Sequence, residues 1–200
     1  MAEWETVLIT IFSSLSIILG SCANLLVIIS FILFSSVREG TSLFLISLSV
    51  ADFLVCAVYQ PLLVNCFNHP DQSQFCVLAK SFLGYGLLTA SLNGLLTVTF
   101  DRFVSIYLPY KYVVWITERN TALLVKLSWV VSLVMGTLNA INYSSARIVA
   151  HVYTTAIIVV VPVLYGVIYN EARKRQEREC CREDAIVWCA KVSRALVLYW

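Results

Sequence analysis

Apolar residues in this chain run in five long blocks that short polar stretches separate. The blocks lie near Val7–Phe34, Leu43–Cys66, Phe75–Leu108, Thr121–Tyr143 and Ile148–Asn170. A helix needs about twenty mostly apolar residues to cross a membrane, and each block supplies them. A single chain crosses as helices because its backbone must satisfy its own hydrogen bonds in lipid. The pattern predicts an all-α, polytopic transmembrane helix bundle with five full spans.

Composition and charge agree with this prediction. The 200 residues are 60% hydrophobic and 13% charged, which is unlike a soluble domain. The net charge of +2 is small, so nothing indicates a nucleic-acid partner, and the expected surroundings are membrane lipid. His69 and His151 have no ligand-spaced partners, and no phosphate loop or nucleophile motif is present, so we expect no enzyme.

Lysine and arginine sort to alternate sides of the predicted spans. With an outside N-terminus, the outer side holds only Lys80 and Arg147. The inner side holds the other twelve, which are Arg38, Arg102, Lys111, Arg119, Lys126, Arg173, Lys174, Arg175, Arg178, Arg182, Lys191 and Arg194. The positive-inside rule therefore predicts an outside N-terminus. We expect no cleaved signal peptide, since Glu3 and Glu5 precede a block long enough to remain a span.

Ionisable residues are rare within the blocks. Asp52 is the only one in the second block, and Asp101 and Arg102 stand together near the end of the third. Burying a charge in lipid costs several kcal/mol or more unless it is paired or neutralised, so such residues usually have a function. An interfacial ion pair that marks the edge of the membrane is the simplest alternative for Asp101 and Arg102.

The residues around this pair carry a resemblance. Asp101-Arg102-Phe103 is followed by Pro109 and Tyr112, and this stretch resembles the end of the third helix of rhodopsin-like G-protein-coupled receptors. The family has Tyr where Phe103 stands. The resemblance implies a multi-pass receptor of the cell membrane with an extracellular N-terminus and a heterotrimeric G protein as partner. It also implies that Asp101, Arg102 and Tyr112 form the coupling switch.

Other positions extend the resemblance. Asp52, Ser91 and Asn24 match a polar cluster that holds a sodium ion in the family, and this ion is the only cofactor implied. Oxygen ligands of this kind suit a hard cation. Trp129 and Pro162 match the markers of the fourth and fifth helices.

The resemblance also bears on the ligand. Gly84 stands where amine-binding relatives carry an Asp, so we expect an extracellular ligand that is not an amine. The sequence specifies that ligand no further. Lys80 either meets an anionic ligand or snorkels to lipid headgroups. Thr154 and Thr155 are candidates for lining the same pocket.

The cysteines depart from the family pattern. Cys76 is one residue away from the usual position, and the stretch Ser144–Arg147 that follows the fourth block contains no cysteine. Cys66 and Cys76 either form a replacement disulfide outside the cell or remain two thiols. The sequon at Asn142 lies close to the membrane, and its glycosylation is left open.

The last residues resemble the inner start of a sixth helix after a cytoplasmic stretch at Arg173–Asp184. We therefore expect one receptor domain over residues 1–200, truncated before the end of helix six. Such a chain is expected to be inactive alone, or to associate with another receptor as a dimer, because the family signals by moving its sixth helix. A transporter fragment and a structural membrane protein are the alternatives, although internal repeats typical of transporters are not seen.

Overall fold

The computed structural model describes residues 3–34, 42–68, 74–141 and 144–198. Each described segment is mainly helical, and five helices are long and apolar enough to cross a membrane. The prediction of five spans is confirmed. The sequon residue Asn142 and residues 37–40, between the first and second predicted blocks, lie outside the described residues.

The first span is the helix Glu3–Leu33. The second span comprises Ser42–Leu54, a π-helical turn Val55–Tyr59 and Gln60–Asn68. Pro61 explains that turn, since proline lacks an N–H and its ring displaces the carbonyl one turn earlier. The Gln60 N–H bonds to the Val55 oxygen across the wider turn.

The third span comprises Gln74–Ala79, a π-helical turn Lys80–Gly84 and Tyr85–Tyr107. Leu108 leaves the helical conformation directly before Pro109, as the residue before a proline tends to do. Pro109 then begins a short helix, Pro109–Trp115, at the first helical position where its missing N–H costs nothing. The stretch between the third and fourth predicted blocks, which the alternation of spans places on the inner side, is therefore partly helical.

The fourth span is the helix Glu118–Ala140, which begins at Thr117 as N-cap. The Thr117 side chain accepts a hydrogen bond from the Asn120 N–H at 3.4 Å.

The fifth span lies in a continuous helix, Ser144–Leu198. The helix runs on through Pro162, the proline that matches the family's marker of the fifth helix. It also runs through Arg173–Asp184, so the prediction that a separate sixth helix begins after this stretch differs from the structure. Between Val167 and Leu198 the sequence has no Gly or Pro and many strong helix formers, so nothing local ends the helix.

The third span is the centre of the bundle because it contacts the second, fourth and fifth spans. The first span packs on the second and has no buried residue among those whose burial is described, so most of its apolar surface faces lipid. We call the two ends of the bundle the disulfide end, near Cys66, and the Asp-Arg end, near Asp101.

Asn93 joins three spans through hydrogen bonds. Its amide nitrogen donates to the Ser132 hydroxyl at 3.1 Å and to the Ser128 carbonyl at 3.3 Å on the fourth span. Its amide oxygen accepts from the Tyr153 hydroxyl at 2.8 Å on the fifth. Interhelical bonds of this kind contribute about 0.6–2 kcal/mol each and fix the relative rotation of the helices.

Two glycines let the third and fourth spans approach closely. A Cβ added at Gly136 would lie 2.8 Å from the Phe82 carbonyl oxygen and 3.0 Å from the Gly86 Cα. Both of these neighbours are backbone atoms, which cannot turn aside as a flexible side chain would. Small residues at such crossings allow the close backbone packing that holds membrane helices together.

We expect Gly136→Ala to separate the third and fourth spans and to destabilise the bundle by about 1–3 kcal/mol. The measurement is the thermal unfolding midpoint of the purified protein in detergent. Gly166→Ala is the matched control, because nothing lies within 4 Å of the Cβ it would add. Equal midpoints for the two variants would contradict the prediction.

Candidate functional site

A cavity of about 630 Å³ lies among the first, second, third and fourth spans, and we call it the Asp52 cavity. Its walls are mostly apolar, with a few polar side chains that converge on it. The lining residues are Asn24, Asp52, Val55, Cys56, Tyr59, Lys80, Gly84, Tyr85, Leu88, Ser91 and Asn139. Such cavities are typical sites for small ligands.

The structure brings together the three residues of the predicted sodium cluster. The Ser91 hydroxyl donates to the Asp52 Oδ1 at 2.5 Å, across the second and third spans. Asn24 reaches the same cavity because Gly20, one turn earlier, lets the Cys56 side chain approach the first span. The Asn24 amide nitrogen donates to the Gly20 carbonyl at 3.0 Å, which leaves its amide oxygen as an acceptor.

This donor set fits a sodium ion. The Asp52 carboxylate, the Ser91 hydroxyl and the Asn24 amide all offer oxygen, the ligand atom that hard cations prefer. Asp52 is the only acidic residue among those that line the cavity, so a cation there would also balance a carboxylate within the membrane.

Lys80 and Gly84 lie one turn apart in the third span and line the same cavity. Lys80 is partly buried, so it lies on the cavity wall rather than wholly at the lipid surface. Tyr59 packs directly against Gly84: a Cβ added there would lie 2.5 Å from the Tyr59 hydroxyl oxygen. The tyrosine ring therefore fills the space that a larger residue at position 84 would need.

Thr154 and Thr155 do not line the cavity. Thr154 is buried where the third and fifth spans meet, and its hydroxyl lies 2.5 Å from the Tyr85 hydroxyl. Thr155 is exposed, because adjacent residues on a helix point about 100° apart. The prediction that both threonines line the ligand pocket with Lys80 therefore differs from the structure.

Asp101, Arg102 and Tyr112 form a second group at the Asp-Arg end. The Asp101 side chain is buried, and its Oδ1 accepts a hydrogen bond from the Tyr112 hydroxyl at 3.1 Å. The Arg102 Nε lies 4.0 Å from the Asp101 Oδ2, and its side chain is 57% exposed. The short helix that begins at Pro109 delivers Tyr112 to this position. The Asp101 carboxylate is thus buried and hydrogen-bonded, while the Arg102 guanidinium remains at the surface.

The predicted markers have structural contacts. The Trp129 indole N–H donates to the Ser47 hydroxyl at 3.0 Å, which links the fourth span to the second. Pro162 is exposed within the fifth span.

Cys66 and Cys76 form a disulfide with Cα atoms 5.9 Å apart, which decides between the two alternatives that the sequence left open.

Sequence reasoning missed Tyr59 and Tyr85 as cavity residues. A signal for Tyr59 was present, since Asp52, Cys56 and Tyr59 are spaced i, i+4 and i+7 and so share one helix face. Tyr85 gives no such signal, because it directly follows Gly84 and only the packing of neighbouring spans places it at the cavity.

Comparison with known proteins agrees with this architecture. The family model for 7 transmembrane receptors (rhodopsin family) matches residues 23–200. The chain belongs to this receptor family. Membership in the rhodopsin family supports a multi-pass location in a membrane and favours a receptor over the transporter fragment and the structural protein.

Several receptors are similar in sequence to this rhodopsin-family chain. The human muscarinic acetylcholine receptor M1 is 31% identical over 135 residues, which are 66% of this chain and 29% of that receptor. The chicken muscarinic acetylcholine receptor M3 is 26% identical over 67% of this chain and 21% of its own length. A dopamine D2-like receptor of Drosophila melanogaster is 28% identical over 60% of this chain and 13% of its own length. The chain thus spans less than a third of these relatives.

Proposed function

We propose that this chain forms part of a cell-surface receptor that couples to a heterotrimeric G protein at its Asp-Arg end. The arrangement of Asp101, Arg102 and Tyr112 carries the proposal. Asp101 is buried and held by Tyr112, while Arg102 is close enough to pair with it and exposed enough to leave it. In the resting state Arg102 pairs with Asp101, and on activation it turns towards the G protein.

Sodium is the proposed allosteric ion of this receptor. Asp52, Ser91 and Asn24 would hold it, and the ion would supply a positive charge that balances the carboxylate within the bundle. A ligand that enters the Asp52 cavity from the disulfide end would then act on the same residues. Arg102→Ala tests the coupling switch, and Asp52→Asn tests the sodium cluster.

The proposed ligand is not an amine, although relatives are named for acetylcholine and dopamine. A protonated amine in a dry cavity needs a nearby carboxylate. The family position for that group is Gly84, and Tyr59 occupies the adjacent space. The cavity's carboxylate, Asp52, already accepts the Ser91 hydroxyl and lies seven residues before Tyr59, about 10 Å along the helix.

We expect no saturable binding of acetylcholine or dopamine to cells that express this chain. The reason is the missing carboxylate at position 84. Radioligand saturation at up to millimolar concentration is the measurement, with the human muscarinic M1 receptor as the positive control for acetylcholine. Saturable binding of either amine would overturn the proposal, and its loss in Asp52→Asn would identify Asp52 as the carboxylate that holds the amine.

The proposed orientation places the N-terminus and the disulfide end outside the cell. The twelve-to-two distribution of Lys and Arg supports it. A single cysteine at Ser73, in a background without other free cysteines, should react with an impermeant maleimide on intact cells. A cysteine at Gln176 should react only after permeabilisation. The reverse pattern would overturn the orientation.

We also expect residues 1–200 by themselves not to activate a G protein. The family switch is an outward movement of the sixth helix, and it requires two packed arrangements of close energy. In the described residues, the segment that resembles the start of that helix continues the fifth span instead. Ligand-independent activation by residues 1–200 alone would contradict this expectation.

A further inference from the structure

A second cavity, of about 560 Å³, lies at the disulfide end among the third, fourth and fifth spans. We call it the Arg147 cavity. Its lining residues are Gln74, Val77, Leu78, Ser81, Asn139, Ala140, Arg147 and His151. Hydrogen-bond donors are frequent in this set, and it contains no acidic side chain, so the cavity is complementary to an anion.

Arg147 and His151 supply the donors with the greatest reach. They are four residues apart on the fifth span, so both lie on one face of the helix. Arg147 makes no ion pair with a carboxylate of any residue that the structure describes. It also lies in the first turn of a long helix, where the helix dipole favours a negative charge.

An apolar groove of about 470 Å³ adjoins this cavity along the third and fourth spans. The two share Leu78 and Ala140 as lining residues. The other lining residues of the groove are Phe75, Ala79, Phe82, Leu83, Thr137 and Ile141. The Phe75 and Leu78 side chains are exposed, so the groove is open to the hydrocarbon around the bundle.

We propose that the Arg147 cavity and the apolar groove together bind one anionic phospholipid. The phosphate would accept hydrogen bonds from the Arg147 guanidinium, a planar donor that matches phosphate oxygens, and from the His151 imidazole and the Gln74 amide. An acyl chain would lie in the groove. A soluble phosphate would use only the Arg147 cavity, so the apolar groove that shares Leu78 and Ala140 with it favours a lipid.

This site lies next to the Asp52 cavity. The His151 ring stands edge-on to the Tyr85 ring, with centroids 5.3 Å apart, and Tyr85 lines the Asp52 cavity. Asn139 lines both cavities, and its amide nitrogen donates to the Ser81 carbonyl at 3.1 Å. A lipid that contacts His151 is therefore separated from the Asp52 cavity by the Tyr85 side chain. The lipid site itself does not depend on coupling to a G protein.

The test is native mass spectrometry of the full chain in detergent, titrated with phosphatidylglycerol or phosphatidylcholine. We expect Arg147→Gln to raise the apparent Kd of the most tightly bound phosphatidylglycerol molecule about tenfold. This is the effect expected from the loss of one charged hydrogen bond. Arg173→Gln is the matched control, since Arg173 lies on the same helix and pairs with Glu177 at 3.0 Å. It should leave the Kd of that lipid unchanged.

A second variant and a soluble anion test the groove. Leu78→Ser should weaken the binding of phosphatidylglycerol. The folded fraction, measured by circular dichroism, should stay unchanged. Inorganic phosphate at millimolar concentration should fail to displace the lipid. The proposal is overturned if Arg147→Gln binds the lipid like wild type, if Arg173→Gln weakens it equally, or if inorganic phosphate displaces it.

Discussion

Arg102→Ala is expected to decrease coupling to the G protein strongly while leaving the amount of receptor at the cell surface largely unchanged. The Arg102 side chain is 57% exposed, so its removal disturbs little packing. The lost guanidinium is the group proposed to contact the G protein, and a charged hydrogen bond of this kind is worth about 1.5–3 kcal/mol. Loss of that energy corresponds to a decrease of roughly tenfold to a hundredfold in complex formation.

The measurement is basal nucleotide exchange on a heterotrimeric G protein. It uses a fusion in which the sixth and seventh helices of the human muscarinic M1 receptor follow this chain. Arg119→Ala is the matched control, because Arg119 is another exposed arginine near the same end of the bundle. Unchanged exchange by Arg102→Ala, or an equal decrease with Arg119→Ala, would rule out the proposed switch.

Asp52→Asn is expected to remove stabilisation of the chain by sodium. Asp52 bonds to Ser91 at 2.5 Å and lines a cavity that Asn24 also reaches, so it would supply the charged ligand of the ion. A ligand present at a hundred times its Kd stabilises the folded state by about 2.7 kcal/mol. The neutral amide keeps the shape of the side chain but lacks the charge that a monovalent cation needs.

The measurement is the thermal unfolding midpoint in sodium chloride and in choline chloride at equal ionic strength. Wild type should unfold at a higher temperature in sodium, and Asp52→Asn should unfold at the same temperature in both salts. Asp101→Asn is the matched control, since Asp101 is a buried carboxylate on the third span that does not line the Asp52 cavity. A sodium response that persists in Asp52→Asn would place the ion elsewhere.

The sequence by itself determined the five spans and the grouping of the main polar residues. Membrane spans are readable because length and apolarity alone decide whether a helix can cross a bilayer. The resemblance to rhodopsin-like receptors implied that Asp101, Arg102 and Tyr112 form a group, and the structure places the Tyr112 hydroxyl 3.1 Å from the Asp101 carboxylate. A buried charge has few ways to be satisfied in lipid, so its partners are strongly constrained.

Only the tertiary structure decided which side chains line the cavities. Tyr59 packs against Gly84 from a neighbouring helix. The Thr154 hydroxyl bonds to the Tyr85 hydroxyl and does not line the Asp52 cavity. These contacts depend on the rotation of each helix about its axis. Apolar faces are nearly equivalent in lipid, so close packing at Gly136 and the bonds of Asn93 set that rotation.

The cysteine pair and the end of the fifth span show the same limit of prediction from sequence. Cys66 and Cys76 could be joined or free by sequence, and only the approach of their Cα atoms to 5.9 Å decides the matter. The helix runs on to Leu198 because no residue after Gly166 breaks it locally. A turn there would have to come from packing against other helices. Local sequence determines whether a segment is a helix that can cross the membrane, and interhelical packing determines what that helix touches.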